Sequence, residues 1–198
     1  MKCDIIISGV GGQGILSIAS VIGLAALENN LNLKQSEVHG MSQRGGAVQA
    51  HLRLSSFPVA SDLIPSGNAD IIISVEPMES LRYLPWLSKR GWIVTNSNPF
   101  ENITDYPATD DIFNEIRKVK NNIIIDADSL AKVSGSVRSG NIVILGAASL
   151  FIDMPFTSFE NGIRKLFHKK GEDIVEINLR AFKAGRDFTG KQVNYSVG

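Results

Sequence analysis

Short runs of consecutive β-branched residues limit this chain of 198 residues to few architectures. Ile5-Ile6-Ile7 and Ile71-Ile72-Ile73 each place three isoleucines in a row with no polar residue between them. A strand with one solvated face would alternate apolar and polar residues, so these strands are predicted to be buried on both faces. Burial of this kind is typical of a parallel sheet that has helices on both sides.

Strand-like and helix-like segments alternate along the rest of the chain. We predict strands at 3–8, 34–38, 47–55, 70–75, 92–96 and 123–126. We predict helices or helical turns at 15–27, 76–89, 110–118, 129–133, 141–152, 159–167 and 174–188, with the segment 76–89 interrupted by Pro85. The alternation predicts an α/β fold, a three-layer domain with a mainly parallel sheet and a Rossmann-like start. No internal repeat or linker interrupts the pattern, so we expect a single domain over residues 1–198.

Residues 47–55 depart from the fully apolar pattern. Val48, Leu52 and Leu54 alternate with polar residues that include His51 and Arg53. The alternation predicts one half-exposed strand that is antiparallel or lies at the edge of the sheet, with His51 facing solvent.

Charge and cysteine content exclude several classes of protein. Lys and Arg total 20, as do Asp and Glu, and a balanced chain lacks the basic footprint of a nucleic-acid-binding protein. Cys3 is the single cysteine, so neither an intrachain disulfide nor a site with four thiolates can form. The longest mostly apolar stretch, 142–152, is about half of what spans a bilayer. We expect a cytoplasmic protein with no membrane contact.

A glycine-rich turn follows the first predicted strand. Gly9, Gly11 and Gly14 fit the pattern G-x-G-x-x-G between a strand and a helix, with Gly12 and Gln13 inside the turn. Glycines permit a tight turn and the close approach of a ligand. Free N–H groups at the start of the helix then favour an anion such as a pyrophosphate.

The second half of a dinucleotide-binding signature is weak. A carboxylate about 20 residues after the turn should hold a ribose, but Lys34 stands there and Glu37 is the nearest acidic residue on that strand. The turn could hold a dinucleotide, a phosphate or a partner loop, or it could only connect strand and helix. Residues 185–192 look like a P-loop, but Gln192 stands where Ser or Thr must bind magnesium, and we reject this site.

A polar loop at 39–46 is the second candidate for a binding site. It combines a titratable His39, the donors Gln43 and Arg44, and the pair Gly45-Gly46. Ligand loops of α/β sheets usually lie between a strand and the next element, so Arg44 and the glycine N–H groups could bind an anion. An ordinary solvated loop that turns at the two glycines explains the same residues, and both interpretations stay open.

Together the two motifs resemble a known family. Residues 9–14, followed at 37–46 by Glu-Val-His-Gly-Met-Ser-Gln-Arg-Gly-Gly, are similar to the gamma domain of the 2-oxoacid:ferredoxin oxidoreductases, and most similar to its indolepyruvate-type branch. The predicted strand that runs into Ser-Val-Glu-Pro at 74–77 and the segment 140–147 agree with it. The resemblance covers about residues 3–186, nearly the whole chain.

The resemblance implies a subunit of an enzyme rather than a complete enzyme. The family decarboxylates a 2-oxoacid on thiamine diphosphate, passes electrons through [4Fe-4S] clusters to ferredoxin and forms an acyl-CoA. This chain has one cysteine and no Gly-Asp-Gly segment of a thiamine diphosphate site, so it is expected to bind neither cofactor. The resemblance implies a large alpha subunit that carries both. Ferredoxin and coenzyme A would act through the complex, and the substrate would be an aryl pyruvate such as indolepyruvate.

Site residues follow from both motifs. The candidates for contact with a ligand or partner, none of them catalytic, are Gly9, Gly11, Gly12, Gln13, Gly14, His39, Gln43, Arg44, Gly45 and Gly46. Glu76, before Pro77, and Asn141 are interpreted as N-caps of helices, and Cys3 as an inert thiol of the core. The alternative function is a stand-alone dinucleotide-binding reductase that would use the glycine turn.

Overall fold

The computed structural model describes residues 1–40, 45–101 and 103–195, with His39, Asn194 and Tyr195 described through their backbone. Within these residues, one sheet holds the six strands β1 (Lys2–Val10), β2 (Asn32–His39), β3 (Ala47–Ser55), β4 (Ala69–Ser74), β5 (Leu87–Asn96) and β6 (Asn122–Ile125). The helices are α1 (Ile15–Glu28), α2 (Pro77–Arg82), α3 (Thr109–Arg117), α4 (Ala127–Ser134), α5 (Gly140–Ala148), α6 (Phe156–Phe167) and α7 (Glu172–Tyr195). Short 3₁₀ turns at Leu84–Trp86, Val137–Ser139, Ser149–Phe151 and His168–Lys170 complete them.

The strand order is β2-β3-β1-β4-β5-β6. β1, β4, β5 and β6 pair in parallel, whereas β3 runs antiparallel to both of its neighbours. The predicted mainly parallel sheet is therefore confirmed, and the alternating segment 47–55 is its antiparallel strand. β3 does not lie at the edge, because β2 occupies that place.

Helices cover both faces of the sheet and make the predicted three layers. On one face, Ile5, Ile7, Ile71 and Ile73 pack with the buried residues of α1, α5, α6 and α7. On the other face, residues such as Ile6 and Ile72 pack with Ile112 and Ile116 of α3 and with residues that follow α2. Consecutive side chains of a strand point to opposite faces, so each isoleucine run fills both cores.

Two local predictions were wrong. The helical crossover predicted over 76–89 is interrupted at Pro85 as expected, but it does not continue to Lys89: α2 ends at Arg82, Pro85 lies in a 3₁₀ turn, and β5 already begins at Leu87. His51 is not solvated but 6% exposed, and its Nδ1 accepts a hydrogen bond from the Ile64 N–H at 3.0 Å. Segment 56–68 folds back over this face of β3, which a local pattern could not predict.

The rejected P-loop segment 185–192 lies inside α7, far from any strand-to-helix turn. Its first glycine serves helix packing. A Cβ on Gly185 would lie 1.9 Å from the Val143 carbonyl oxygen of α5, and one on Gly146 would lie 2.0 Å from the Phe182 carbonyl oxygen of α7. The two helices therefore touch backbone to backbone, which requires glycine at both positions.

Candidate functional site

The glycine turn lies at the topological switch point of the sheet, where the strand order reverses. From β1 the chain proceeds to β2 on one side, whereas β4, the other neighbour of β1, leads to β5 on the opposite side. Sheets of this class bind ligands in the crevice beyond the carboxyl ends of the strands at such a switch point. Here the crevice lies between residues 11–14 after β1 and Val75 after β4.

The side chain of Gln13 closes the glycine turn. Its Oε1 accepts a hydrogen bond from the Val10 N–H at 2.8 Å, and the backbone N–H of Gln13 donates to the Val10 carbonyl at 3.1 Å. Gly12 and Gly14 hold φ angles of 100° and 79°, the left-handed region that favours glycine. Gln13 thus stabilises the turn, and the turn is set before any ligand arrives.

Glycine is also required where neighbours approach the turn. A Cβ on Gly9 would lie 2.3 Å from Val75 Cγ2, and one on Gly14 would lie 2.4 Å from Asn141 Nδ2. Asn141 Nδ2 donates to the Gly14 carbonyl at 3.0 Å. The N-cap prediction for Asn141 was therefore wrong, because α5 begins at Gly140 and the amide reaches back to α1 instead.

The structure brings the two sequence motifs together. The N–H of Gly11 donates to the Gly46 carbonyl at 2.8 Å, so the end of the polar loop lies directly on the glycine turn. Gly40 and Ala47 close the loop at its base through a 2.8 Å hydrogen bond, and Gly45 has a φ of 79°. Gln43, Arg44 and the side chain of His39 lie outside the described residues, so their predicted contacts stay predictions.

Two clefts open on either side of the glycine turn. The larger, of about 420 Å³, and the smaller, of about 280 Å³, share Gly12, Gln13, Arg138 and Asn141 as walls. Arg138 is exposed and has no acidic partner among the described residues. The smaller cleft also contains Lys170, so both cavities present a cation beside the turn.

Several helices start at the larger cleft and add to its positive potential. The first residues of α1, α4 and α5 line it or flank it, and each helix N-terminus carries about half a positive charge. Asn96 orients the start of α4, because its Oδ1 accepts from the Ala127 N–H at 3.1 Å and its Nδ2 donates to Asp128 at 3.4 Å. The arrangement suits a ligand that combines an anionic group with a hydrogen-bond donor for Asp128.

Glu76 is a buried anchor next to the crevice. One of its oxygens caps α2 by accepting from the Glu79 N–H at 2.7 Å, which confirms the predicted N-cap. The other accepts from the Tyr106 hydroxyl and, at 3.4 Å, from the Phe100 N–H. Burial raises the pKa of Glu76 above its ordinary value, while these three donors oppose that rise.

Glu37, the acidic residue nearest to the expected ribose position in the sequence, is poorly placed for that role in the structure. Glu37 lies on β2, and β3 stands between β2 and β1, so its strand is roughly 10 Å from the glycine turn's strand. A Rossmann-type dinucleotide site would place that acidic residue on the strand adjacent to β1. The geometry therefore gives no support to the dinucleotide alternative.

Sequence reasoning missed Arg138, Lys170, Asn96 and Asp128. Asn96 is the last residue of β5, and Asp128 follows shortly after β6. Ligand-binding residues often lie at the carboxyl ends of parallel strands, so both residues could have been identified from the predicted strands. Arg138 could not be recognised, because it reaches the turn only when α5 packs against α1, and 127 residues separate Asn141 from Gly14.

Two further properties concern the described residues alone. They contain no group of three or more His, Cys, Asp or Glu side chains arranged to hold a metal ion. No helix in that part of the chain is long and apolar enough to cross a membrane.

Comparisons with known proteins agree in both sequence and fold. A family model described as pyruvate ferredoxin/flavodoxin oxidoreductase matches residues 4–188. The indolepyruvate oxidoreductase subunit IorB of Archaeoglobus fulgidus is 38% identical over 194 residues, which cover 93% of this chain and 94% of that protein.

Two solved structures share the fold. The keto/oxoacid ferredoxin oxidoreductase gamma subunit from Geobacter sulfurreducens PCA matches with a TM-score of 0.69 at 23% identity, over 96% of this chain and 99% of that one. The 2-oxoglutarate:ferredoxin oxidoreductase from Magnetococcus marinus, solved with 2-oxoglutarate, coenzyme A and succinyl-CoA bound, matches with a TM-score of 0.76 at 22% identity. The match covers 96% of this chain but only 31% of the Magnetococcus chain, which is much longer.

Proposed function

Because the chain belongs to the pyruvate ferredoxin/flavodoxin oxidoreductase family, we propose that it is the small subunit of an indolepyruvate-type 2-oxoacid:ferredoxin oxidoreductase. The complex converts an aryl pyruvate and coenzyme A to an arylacetyl-CoA, with CO₂ and reduced ferredoxin as further products. The observation that carries the proposal is the 38% identity to an IorB subunit over nearly the full length of both chains.

Neither thiamine diphosphate nor an iron–sulfur cluster fits the residues of this chain. Cys3, its one thiol, is buried at the start of β1, where burial raises its pKa to about 12, whereas a [4Fe-4S] cluster is held by about four cysteine thiolates. The Gly-Asp-Gly segment of a thiamine diphosphate site is missing from the sequence. We therefore assign both cofactors to a large alpha subunit, and no chemical step to this chain.

The role of this chain lies in binding and orientation at the carboxyl edge of its sheet. We assign the glycine turn, Gly9 to Gly14, and the loop of His39, Gln43, Arg44, Gly45 and Gly46 to the wall of a channel shared with the large subunit. The N-terminus of α1 and Arg138, which has no acidic partner among the described residues, favour the phosphates of coenzyme A there. Gln13, Gly46 and Asn141 hold the turn in place, so ligand binding loses little conformational entropy there.

The kinetic test uses the reconstituted complex. Arg44→Ala and Arg138→Ala each remove one cation, and a charge-assisted hydrogen bond contributes about 1.5–3 kcal/mol, so we expect KM for coenzyme A to rise about tenfold or more. KM for the aryl pyruvate should stay unchanged, as should the thermal stability of the subunit. Arg117→Ala on α3 is the matched control. Unchanged kinetics for both variants would refute the channel role.

The identity of the complex is tested first. The tagged chain is purified without oxygen from its own organism, followed by gel filtration and a visible absorption spectrum. We expect a brown complex with a much larger second chain that reduces ferredoxin with an aryl pyruvate. A colourless species without a partner would contradict the subunit assignment.

A further inference from the structure

The smaller cleft beside the glycine turn is lined by positive charge alone. Its cations are Arg138, which it shares with the larger cleft, and Lys170, which lines only the smaller one. No acidic side chain of the described residues lines its wall, whereas Asp128 lines the larger cleft. Neither cation has an acidic partner in the described part of the chain. The smaller cleft therefore suits an anionic group better than the larger cleft does.

An aromatic ring supports the position of Lys170 at the cleft. Its Nζ lies 5.3 Å from the centroid of the Phe167 ring, within the range of a cation–π contact, and Phe167 lines the same cleft. The neighbouring Lys169 is equally exposed but lines neither of the two clefts. The two lysines thus differ in location and not in charge, which makes Lys169 a matched control.

A buried hydroxyl group in the smaller cleft also indicates a polar ligand. Ser139 lines this cleft and is 3% exposed, yet its Oγ has no hydrogen-bond partner among the described residues. Burial of a hydroxyl group without a partner costs free energy, and a ligand oxygen at this place would accept the missing hydrogen bond. Ser17, in the first turn of α1, lines the cleft too, and that turn has no acidic residue. Hydroxyl donors, two cations and a helix N-terminus together suit the oxygens of a phosphate group.

The size of the cleft indicates that it holds one part of a ligand. Its volume of about 280 Å³ lies slightly below the roughly 300–1,000 Å³ of usual small-molecule pockets. The larger cleft, of about 420 Å³, shares the glycine turn and Arg138 with it as walls. A single ligand can therefore lie across the turn and occupy both clefts.

We infer that the smaller cleft binds the 3′-phosphate of coenzyme A, and that Lys170 and Ser139 select for this group. The inference rests on the proposed function, which supplies coenzyme A. This molecule has two separate anionic parts, a pyrophosphate and a phosphate monoester on its ribose. With the pyrophosphate at the glycine turn, the monoester lies in the smaller cleft beside Lys170. Near pH 7 a phosphate monoester carries a charge of about −1.5 to −2, which two cations balance.

The two cations have different roles in this arrangement. Arg138 lines both clefts, so its charge acts on both anionic parts of the ligand. Lys170 lines the smaller cleft alone, so its charge acts on the 3′-phosphate. Dephospho-coenzyme A lacks only that phosphate, and a comparison of the two molecules separates the role of Lys170 from that of Arg138.

The test measures KM for coenzyme A and for dephospho-coenzyme A in the reconstituted complex. Lys170→Ala should raise KM for coenzyme A about fivefold, because solvent screens an exposed cation, and should leave KM for dephospho-coenzyme A and kcat unchanged. Lys170→Arg keeps the positive charge and should behave like the wild type. Lys169→Ala removes an equal charge outside the cleft, and its KM values should stay within about twofold of the wild type.

A second variant tests the hydroxyl group. Ser139→Ala should raise KM for coenzyme A about threefold, and its combination with Lys170→Ala should raise it at least tenfold. The Tm of Ser139→Ala should stay unchanged, because its Oγ has no hydrogen bond to the described residues that could be lost. A lower Tm with an unchanged KM would show that Ser139 is structural and would overturn its role in selection.

The outcomes distinguish this site from the proposed function. If the wild-type complex is active and Lys170→Ala affects both cosubstrates equally or neither, the phosphate site is wrong and the subunit assignment stands. If the wild-type complex is inactive with coenzyme A and every aryl pyruvate, the proposed function fails. The site is then tested by calorimetric titration of the full chain with adenosine 3′,5′-bisphosphate and with AMP. Tighter binding of the bisphosphate, lost in Lys170→Ala and kept in Lys169→Ala, would support the site, and equal binding of both nucleotides would overturn it.

Discussion

Replacing Gly185 with alanine is expected to force α5 and α7 apart. The new Cβ would lie 1.9 Å from the Val143 carbonyl oxygen, 2.8 Å from its carbon and 2.9 Å from the Ala147 nitrogen. All three atoms belong to the backbone of a helix whose residues from Ile142 to Ala148 are buried, so no side chain can rotate away. The helices must separate by about 1 Å, which removes a quarter to a half of the dispersion energy across their contact.

The expected magnitude follows from two opposing terms. Overpacking usually destabilises by about 1–3 kcal/mol, and against a rigid backbone we expect a loss slightly above that range, about 3–4 kcal/mol. Alanine improves helix propensity over glycine by about 1 kcal/mol. The Gly185→Ala variant should therefore lose about 2–3 kcal/mol of unfolding free energy, which for a chain of this length lowers Tm by roughly 5–10 °C. Urea denaturation followed by circular dichroism measures the free energy directly.

Gly190 provides the matched control within the same helix. A Cβ there would meet its nearest neighbour, Leu150 Cδ1, at 3.9 Å, which is ordinary van der Waals contact. Gly190→Ala should therefore gain up to about 1 kcal/mol from helix propensity. If Gly185→Ala proves as stable as Gly190→Ala, the backbone contact between α5 and α7 is not as close as described, and the reasoning fails.

Three further substitutions test other parts of the structure. Asp4→Ala removes the buried carboxylate that pairs with Arg53 at 2.8 Å, and urea denaturation should show a loss of about 3 kcal/mol, because a half-buried guanidinium loses its charge partner. Burial lowers the pKa of His51 below its ordinary 6.5, so its contribution to stability is complete above pH 6.5 and declines as the pH falls. The difference in unfolding free energy between the wild type and His51→Gln should therefore shrink from pH 7 to pH 5, and a constant difference would contradict this. Gly14→Ala, at a φ of 79° and 2.4 Å from Asn141, should reduce turnover of the reconstituted complex at least tenfold, and unchanged turnover would show that the turn tolerates displacement.

The local sequence pattern was sufficient to predict those strands whose burial is shown by the spacing of their own apolar residues. The isoleucine runs predicted β1 and β4 as strands buried on both faces, and the alternation of 47–55 predicted the bounds of β3. The capping role of Glu76 was also predictable, because an acidic residue before a proline is a local helix-start signal.

Predictions failed where a distant segment changes the environment of a residue. His51 alternates with apolar neighbours as a solvated residue would, yet segment 56–68 covers it. Asn141 has the position of an N-cap, yet it donates to Gly14, 127 residues earlier in the chain. The periodic pattern of apolar and polar residues does not indicate contacts between segments so far apart in the sequence.

The candidate site shows the same division. The amino-acid sequence by itself determined both glycine motifs, the lack of thiol ligands for a cluster and the resemblance to the oxidoreductase family, because each depends on residue identity and local spacing. Only the tertiary structure placed Gly46 on the glycine turn and brought Arg138 beside it. Such features depend on which elements pack together, and burial and electrostatics act through space rather than along the chain.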